Sequence, residues 1–508
     1  MLKEKKDNDS NNFLFNRSSG ILLHPTSLPG KFGIGEIGKN AKKFIDLLNK
    51  YNQKIWQVLP LGPTGYGNSP YQCFSAFAGN PLLISIDSLI ESGLLDPNGI
   101  PEHAFSDLNV EFEKIINFKW DILKKAYLNF IIIDNESIKS EFNLFIGKNK
   151  HWLEDFSLFM ALKFQFKFAP WTDWVMEYRY KDQKTIDLWK KSNTDSINFQ
   201  KFVQFIFFRQ WSEIKEYAKS KGVLIIGDMP IFVAHDSADV WSNKDLFYLN
   251  KDGSPTVVAG VPPDLFSETG QRWGNPLYNW GVHSRQKYRW WINRFEQIFD
   301  LVDIVRVDHF RGFEAYWEIP STEKTAIIGK WVKAPGNNFF KYIERYFKYL
   351  PIIAENLGVI TPEVEKLRNK FNFPGMNIIQ FGFDEKFNPE NNYLIHNFEK
   401  NSVVYTGTHD NETTYSWFND LPDRTKSIVK QYFNVLNEDI LSSIIIHSLQ
   451  SVAIFSIFPL QDILRLNYKA RLNFPGKASN NWEWRFDWSQ ISEKYFSELA
   501  FFSKLYGR

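Results

Sequence analysis

The stretch Leu301-Val302-Asp303-Ile304-Val305-Arg306-Val307-Asp308-His309 decides how this chain folds. Its first seven residues are nearly continuous in apolar character rather than alternating. That is the pattern of a strand buried on both faces, as in a parallel sheet. The run then ends on charge, with Arg306 and Asp308 two residues apart and so on one face of the strand. Seven further short apolar runs of the same kind stand at 21–24, 55–60, 223–228, 351–354, 377–381, 403–407 and 452–458, each followed by turn chemistry. Helical patterns fill several of the intervals, at 41–51, 202–219, 288–299, 339–349 and 362–369. Eight strands alternating with helices predict a (β/α)8 TIM barrel, an α/β fold, with inserted, mostly helical subdomains and no separate C-terminal β-sandwich.

Two intervals are too long for ordinary loops. The first, about 82–200, is rich in Trp, Phe and Lys and reads as helical at 111–130, 152–168 and 182–191, an inserted subdomain. The second, about 233–280, is dense in Gly, Pro, Asp and Ser and reads as long active-site loops. Residues 1–17 are polar and of mixed charge, a frayed tail with neither a signal-peptide core nor a transit-peptide composition. The remaining 18–508 form the catalytic barrel.

Composition narrows the function. Sixty basic against 58 acidic residues leave a formal net charge of +2, which points to no nucleic-acid surface. Cys73 is the single cysteine, so neither an internal disulfide nor a thiolate zinc cage is possible, in keeping with a reducing cytoplasm. No apolar stretch is long enough to cross a membrane as a helix. The 18 tryptophans could present flat faces to sugar rings, although most tryptophans in any protein belong to the core.

Four strand ends deliver a carboxylate to what would be one rim of the barrel: Asp228, Asp308, Glu355 and Asp410, with Arg306, His309 and His409 beside them. One such carboxylate is as readily a helix N-cap. Four together suit glycosidic cleavage, which needs one protonated acid and one ionised carboxylate in environments that push their pKa values apart. His309 and His409 could instead join Asp308 and Asp410 around a metal, but no further ligand spacing supports that, and no cofactor motif is present.

At these residues the sequence resembles the 4-α-glucanotransferases (amylomaltases, disproportionating enzymes), glycoside hydrolase family 77 in the α-amylase clan. The resemblance covers about 18–484. It is carried by GILLHPTSLPG (20–30), WQVLPLGPTGYGNSPYQCFSAFAGNP (56–81), IIGDMPIFVAHDSADVW (225–241) and VAGVPPDLFSETGQRWGNPLYNW (258–280). VRVDHFRGFEAYWEIP (305–320), IIAENLGVITPEV (352–364), VVYTGTHDN (403–411) and RLNFPGKASNNWEWR (471–485) complete it. The resemblance implies a cofactor-free enzyme that moves a 1,4-α-glucan segment to an acceptor such as glucose or maltose, with retention and through a covalent glucosyl-enzyme. It makes Asp308 the nucleophile, Glu355 the acid/base and Asp410 the transition-state stabiliser. It places Asp228, His409 and Asn481 around the same sugar, with Tyr66 stacked beneath it. Arg306 is expected to lower the pKa of Asp308. Leu265 and Phe266, in a loop over the cleft, would hold the acceptor and keep water out. A monomer is the default expectation. The competing readings are a hydrolase of the same clan, a non-catalytic glucan-binding barrel and a metal-dependent hydrolase.

Three positions depart from the family pattern. Asn356 stands where Asp usually follows the acid/base, which removes a like charge beside Glu355. Leu265 replaces the Tyr of some members. His235 has no counterpart with an evident role.

Overall fold

The computed structural model describes residues 15–264, 267–435, 439–477 and 479–508. In chain order its strands are β1 (Ser18–Leu22), β2 (Ile55–Gln57), β3 (Leu224–Pro230), β4 (Val257–Val261), β5 (Gln271–Pro276) and β6 (Ile304–Asp308). They continue with β7 (Ala315–Pro320), β8 (Lys330–Lys333), β9 (Ile352–Ala354), β10 (Gly375–Ile378), β11 (Ser402–Tyr405) and β12 (Phe455–Pro459). Eight of these pair in parallel in the order β10-β11-β12-β1-β2-β3-β6-β9. The two ends of that order meet where the Ala354 N–H donates to the Pro374 carbonyl at 2.9 Å. This is the expected (β/α)8 barrel, and each of the eight apolar runs supplies one of its strands. Their limits shift by a few residues. β1 starts at Ser18 because Ser18 and Ser19 pair with Phe455 and Ser456 of β12.

The period-2 geometry of the strands builds the site. Inside the barrel an apolar plug gathers Leu22, Ile55, Ile226, Ile304, Ile353 and Val403. On β6, Arg306 and Asp308 lie on the same face as Ile304, farther toward the mouth. Val305 and Val307 face the other way, into the larger core shared with the helices. The same strand is therefore apolar at the base and charged at the mouth. Close packing of β3 depends on Gly227: a Cβ there would lie 2.7 Å from Val302.

Between β2 and β3 the chain forms helices Phe112–Ile132, Glu136–Gln165, Gln183–Ser192 and Thr194–Ser220. The last runs unbroken across residue 200, where the sequence suggested an edge, and its buried Phe202, Phe207 and Trp211 join one core with the barrel. Trp56, Trp171, Trp174, Trp211, Trp241 and Trp291 are fully buried. Each such side chain removes roughly 4–6 kcal/mol worth of apolar surface from water, before entropy is counted. Most of the tryptophan excess is thus core.

Two differences from the sequence reading stand out. Of the tail expected over 1–17, the described end is packed: Phe15 lies on Phe455 (ring centroids 5.2 Å apart) and Arg17 donates to the Leu449 carbonyl at 2.8 Å. The segment 233–280 is not loop alone. β4 and β5 join β7 and β8 in an antiparallel sheet of order β5-β4-β7-β8. No helix among the described residues is long and apolar enough to cross a membrane.

Candidate active site

Arg306 is the hub of the mouth. Its guanidinium, 5% exposed, contacts Asp228 Oδ2 at 2.6 Å, Asp308 Oδ1 at 3.2 Å and Glu355 Oε2 at 3.4 Å. The last two contacts share the same nitrogen, Nη2. The two carboxylate oxygens therefore lie no farther apart than the sum of those distances, a bound at the bottom of the about 6.5–9.5 Å range of inverting glycosidases, above the about 5–5.5 Å of retaining ones. Glu355 also accepts the backbone N–H of His309. His309 adopts the left-handed region (φ 51°), uncommon for a residue with a side chain, and this turn aims its N–H at the carboxylate.

Burial is the first cause that raises Asp308, and the neighbouring Glu355 carboxylate is the second. Arg306 opposes both, yet Asp308 is pushed up to about 7. Arg306 lowers Asp308 as expected, but a guanidinium two residues along the strand does not outweigh desolvation plus a second carboxylate. Asp308 therefore holds its proton to higher pH than an ordinary carboxyl. Asp228 is raised in the same sense by burial, with Arg306 opposing.

Asp410 is in the opposite electrical state. Burial would raise it, but His409 at 3.3 Å and the Asn473 amide at 2.6 Å hold it well below the usual carboxylate range. His409 is raised in return: burial works against its charge, and Asp410 more than offsets this. Arg471 fixes the turn by donating to the Asp410 carbonyl at 2.8 Å.

The structure brings together Asp228, Arg306, Asp308, Glu355, His409 and Asp410. It does not bring Tyr66, which is 79% exposed on the turn Tyr66–Asn68. Tyr71 stands at the cluster instead. Its hydroxyl donates to Asp228 Oδ2 at 2.7 Å, and its ring stacks on His409 at 5.1 Å. Asn481 accepts the Phe474 N–H and donates to the Lys477 carbonyl, both at 2.8 Å, so it ties down its own loop. Tyr71, Asn473 and Arg471 are the residues that sequence reasoning missed. All three lie inside the quoted motifs, which was the available signal. Leu265 and Phe266 lie outside the described residues.

The two histidines proposed for a metal are engaged differently. His409 faces Asp410, and the His309 ring meets Trp273 edge-on at 4.8 Å. Burial pushes His309 down to about 3, so it is neutral. His235 has a structural role: its ring nitrogen bonds the Gly253 carbonyl at 2.8 Å, and its own carbonyl accepts from Trp171 at 2.7 Å. Cys73 is packed against the Pro70 carbonyl, with its thiol pushed up to about 12 by burial. The Asn356 carboxamide does not reach Glu355. It accepts the Met376 N–H of β10 and donates to Glu365, both at 2.7 Å, at the seam where the barrel closes.

Comparison with known proteins agrees with this architecture. A family model described as 4-alpha-glucanotransferase matches residues 23–490. The chain is 46% identical over 498 residues to the 4-alpha-glucanotransferase of Synechocystis sp., covering 97% of this chain and 98% of that protein. It is 45% identical to that of Thermus thermophilus, covering 95% and 97%. An amylomaltase from Streptococcus agalactiae, solved in complex with acarbose, superposes with a TM-score of 0.93 at 37% identity, covering 97% of this chain and 99% of that one. The chain belongs to the 4-alpha-glucanotransferase family, glycoside hydrolase family 77.

Proposed function

We propose that this chain moves a segment of a 1,4-α-glucan to the 4-hydroxyl of an acceptor glucose or malto-oligosaccharide by double displacement, with Asp308 as nucleophile and Glu355 as acid/base. The observation that carries the reading is that Asp308 and Glu355 meet on a single Arg306 nitrogen at the barrel mouth, in a chain of the 4-alpha-glucanotransferase family. In the first step an Asp308 oxygen bonds the anomeric carbon as the glycosidic bond breaks, and Glu355 gives its proton to the departing oxygen. In the second, Glu355 takes the proton of the acceptor hydroxyl, whose oxygen displaces Asp308. The configuration is retained.

Asp410, held ionised, suits stabilisation of the positive charge that develops on the sugar ring. Asp228 Oδ1 has no hydrogen-bond partner among the described residues and is available to a sugar hydroxyl. Tyr71 and His409 offer the adjoining ring surfaces. The test is incubation with maltotriose, following product lengths and total reducing ends together. Glucose plus a ladder of longer oligosaccharides at constant reducing ends is the expected outcome. Rising reducing ends without a ladder would make the enzyme a hydrolase and refute the transfer step.

A further inference from the structure

Away from the carboxylate cluster, a cavity of about 170 Å³ opens between helix Glu136–Gln165 and the segments Ala238–Ser242 and Arg289–Leu301. Its lining is divided. One wall is aromatic: Phe77 stacks on Trp152 with centroids 6.3 Å apart and meets Trp290 edge-on at 5.8 Å. The rest includes Asp239, Ser242 and Asn293. Asp239 is buried, and one of its oxygens accepts the Ala76 N–H at 2.8 Å. Asp155 and Arg289 line the cavity as well. Arg294, whose charge acts on Asp239, spends its donors on the Pro230 and Ile231 carbonyls and the Tyr278 hydroxyl. Burial pushes the Asp239 carboxyl up to about 6. Ser242 Oγ is buried with no hydrogen-bond partner among the described residues.

Each ligand class meets a different fate here. An anion would face both Asp155 and Asp239, against the single guanidinium of Arg289 in the lining. A wholly apolar ligand would strip water from Asp239 and Ser242 and return no hydrogen bond. A metal finds no group of three or more His, Cys, Asp or Glu among the described residues. A neutral ring with hydroxyls on its edge and apolar C–H groups on its face matches both halves of the lining.

We propose that this cavity is a second carbohydrate site, taking one neutral pyranose as free glucose or as the end unit of a glucan chain. The choice of sugar rests on the transferase reading; the polyol chemistry does not. The aromatic wall covers the ring face, while Asp239 and Ser242 take hydroxyls. A chain end held here would tether a glucan to the protein outside the cleft.

Equilibrium dialysis tests this on the Asp308→Asn protein, which cannot consume its ligand, with labelled glucose and, separately, labelled maltotriose. Adding Asn293→Trp, a half-buried helix position that would fill the mouth of the cavity, is expected to remove one bound molecule per chain without changing the melting temperature. Adding Ser242→Ala instead is expected to weaken the same site by roughly fivefold with the fold intact, the worth of one ordinary hydrogen bond. Loss with glucose, with or without maltotriose, marks a monosaccharide site; loss with maltotriose alone marks a chain-end site. Either supports the proposal. If Asn293→Trp does not fold, Ser242→Ala decides. Unchanged binding of both probes overturns the proposal even if the wild-type protein makes the full ladder from maltotriose, so this failure is distinct from failure of the transferase reading.

Discussion

Replacing Arg306 by Lys tests the centre of the site most directly. The guanidinium reaches Asp228, Asp308 and Glu355 at 2.6, 3.2 and 3.4 Å. An ammonium is a compact charge on a flexible stem and can keep about one of these contacts. Losing two charge-assisted contacts at about 1.5 kcal/mol each amounts to about 3 kcal/mol, on the order of 10²-fold in kcat/KM. Arg306→Met goes further. It leaves buried carboxylates without their cation, which costs about 3–5 kcal/mol unless they take up protons. The sign follows from the shifts. Asp308 and Asp228 are already raised in the folded protein, and losing Arg306 raises them more. Groups raised on folding contribute stability that is full below their unfolded pKa, about 4, and is lost as pH rises through the folded value. Wild type and Arg306→Met should therefore melt at similar temperatures near about pH 4.5 and diverge toward about pH 8, as read by calorimetry. Initial rates on maltotriose give the activity arm. A Lys variant within about threefold of wild type, or a melting gap in the Met variant that ignores pH, would refute Arg306 as the hub.

Tyr71→Phe removes the 2.7 Å bond to Asp228 and should lower kcat/KM by about tenfold while leaving the fold intact; unchanged kinetics would remove Tyr71 from the site. Glu355→Gln should cost about 10²–10⁴-fold in transfer, and much of the first step should return with a donor whose leaving group needs no proton; equal loss on both donors would contradict an acid role. His409→Gln removes a group raised on folding, so the melting difference from wild type should be largest below the unfolded pKa of about 6.5 and shrink as pH rises past it. A difference that is flat with pH would mean that His409 is not charged beside Asp410. Asn356→Asp sets a carboxylate against Glu365, where an amide now donates at 2.7 Å. It should destabilise the protein at neutral pH more than in acid, and Glu365→Gln should rescue it; no rescue would show that the pairing is immaterial.

What the sequence made legible follows from which signals burial writes into it. The eight barrel strands carry side chains packed on both faces, so each is a short apolar run that punctuation sets off, and Asp228, Asp308, Glu355 and Asp410 follow as the residues that break those runs. The sheet β5-β4-β7-β8 left no such mark. β5 reads Gln-Arg-Trp-Gly-Asn-Pro, its first residues are exposed, and its composition is that of a loop. Tyr66 and Tyr71 share one motif five residues apart, and spacing cannot rank them. The turn at Tyr66–Asn68, with Gly67 in the left-handed region, sends the first outward while the second reaches Asp228. The pKa of Asp308 was misjudged because proximity of Arg306 is visible along the strand, whereas burial and the approach of Glu355 from another strand are not. Asn356 read as a charge missing beside Glu355, but its partners, Met376 and Glu365, are distant in sequence and appear only when the barrel closes.

The imbalance of charge at the mouth accounts for the chemistry. Below Arg306, Ile226, Ile304 and Ile353 form a dry plug, so the guanidinium cannot be hydrated from beneath and must be met by carboxylates. Asp228, Asp308 and Glu355 meet it from three strands, three potential negative charges against one positive. Asp410 and its partner His409 act on Asp308 in opposite senses, the first raising it and the second lowering it. Burial and the approach of Glu355 push the Asp308 carboxyl up, and Arg306 opposes both. Removing Arg306 would raise Asp308 and Asp228 further and disarm the nucleophile. Arg306 is thus the group that keeps the Asp308 carboxylate within reach of ionisation against burial and the neighbouring Glu355.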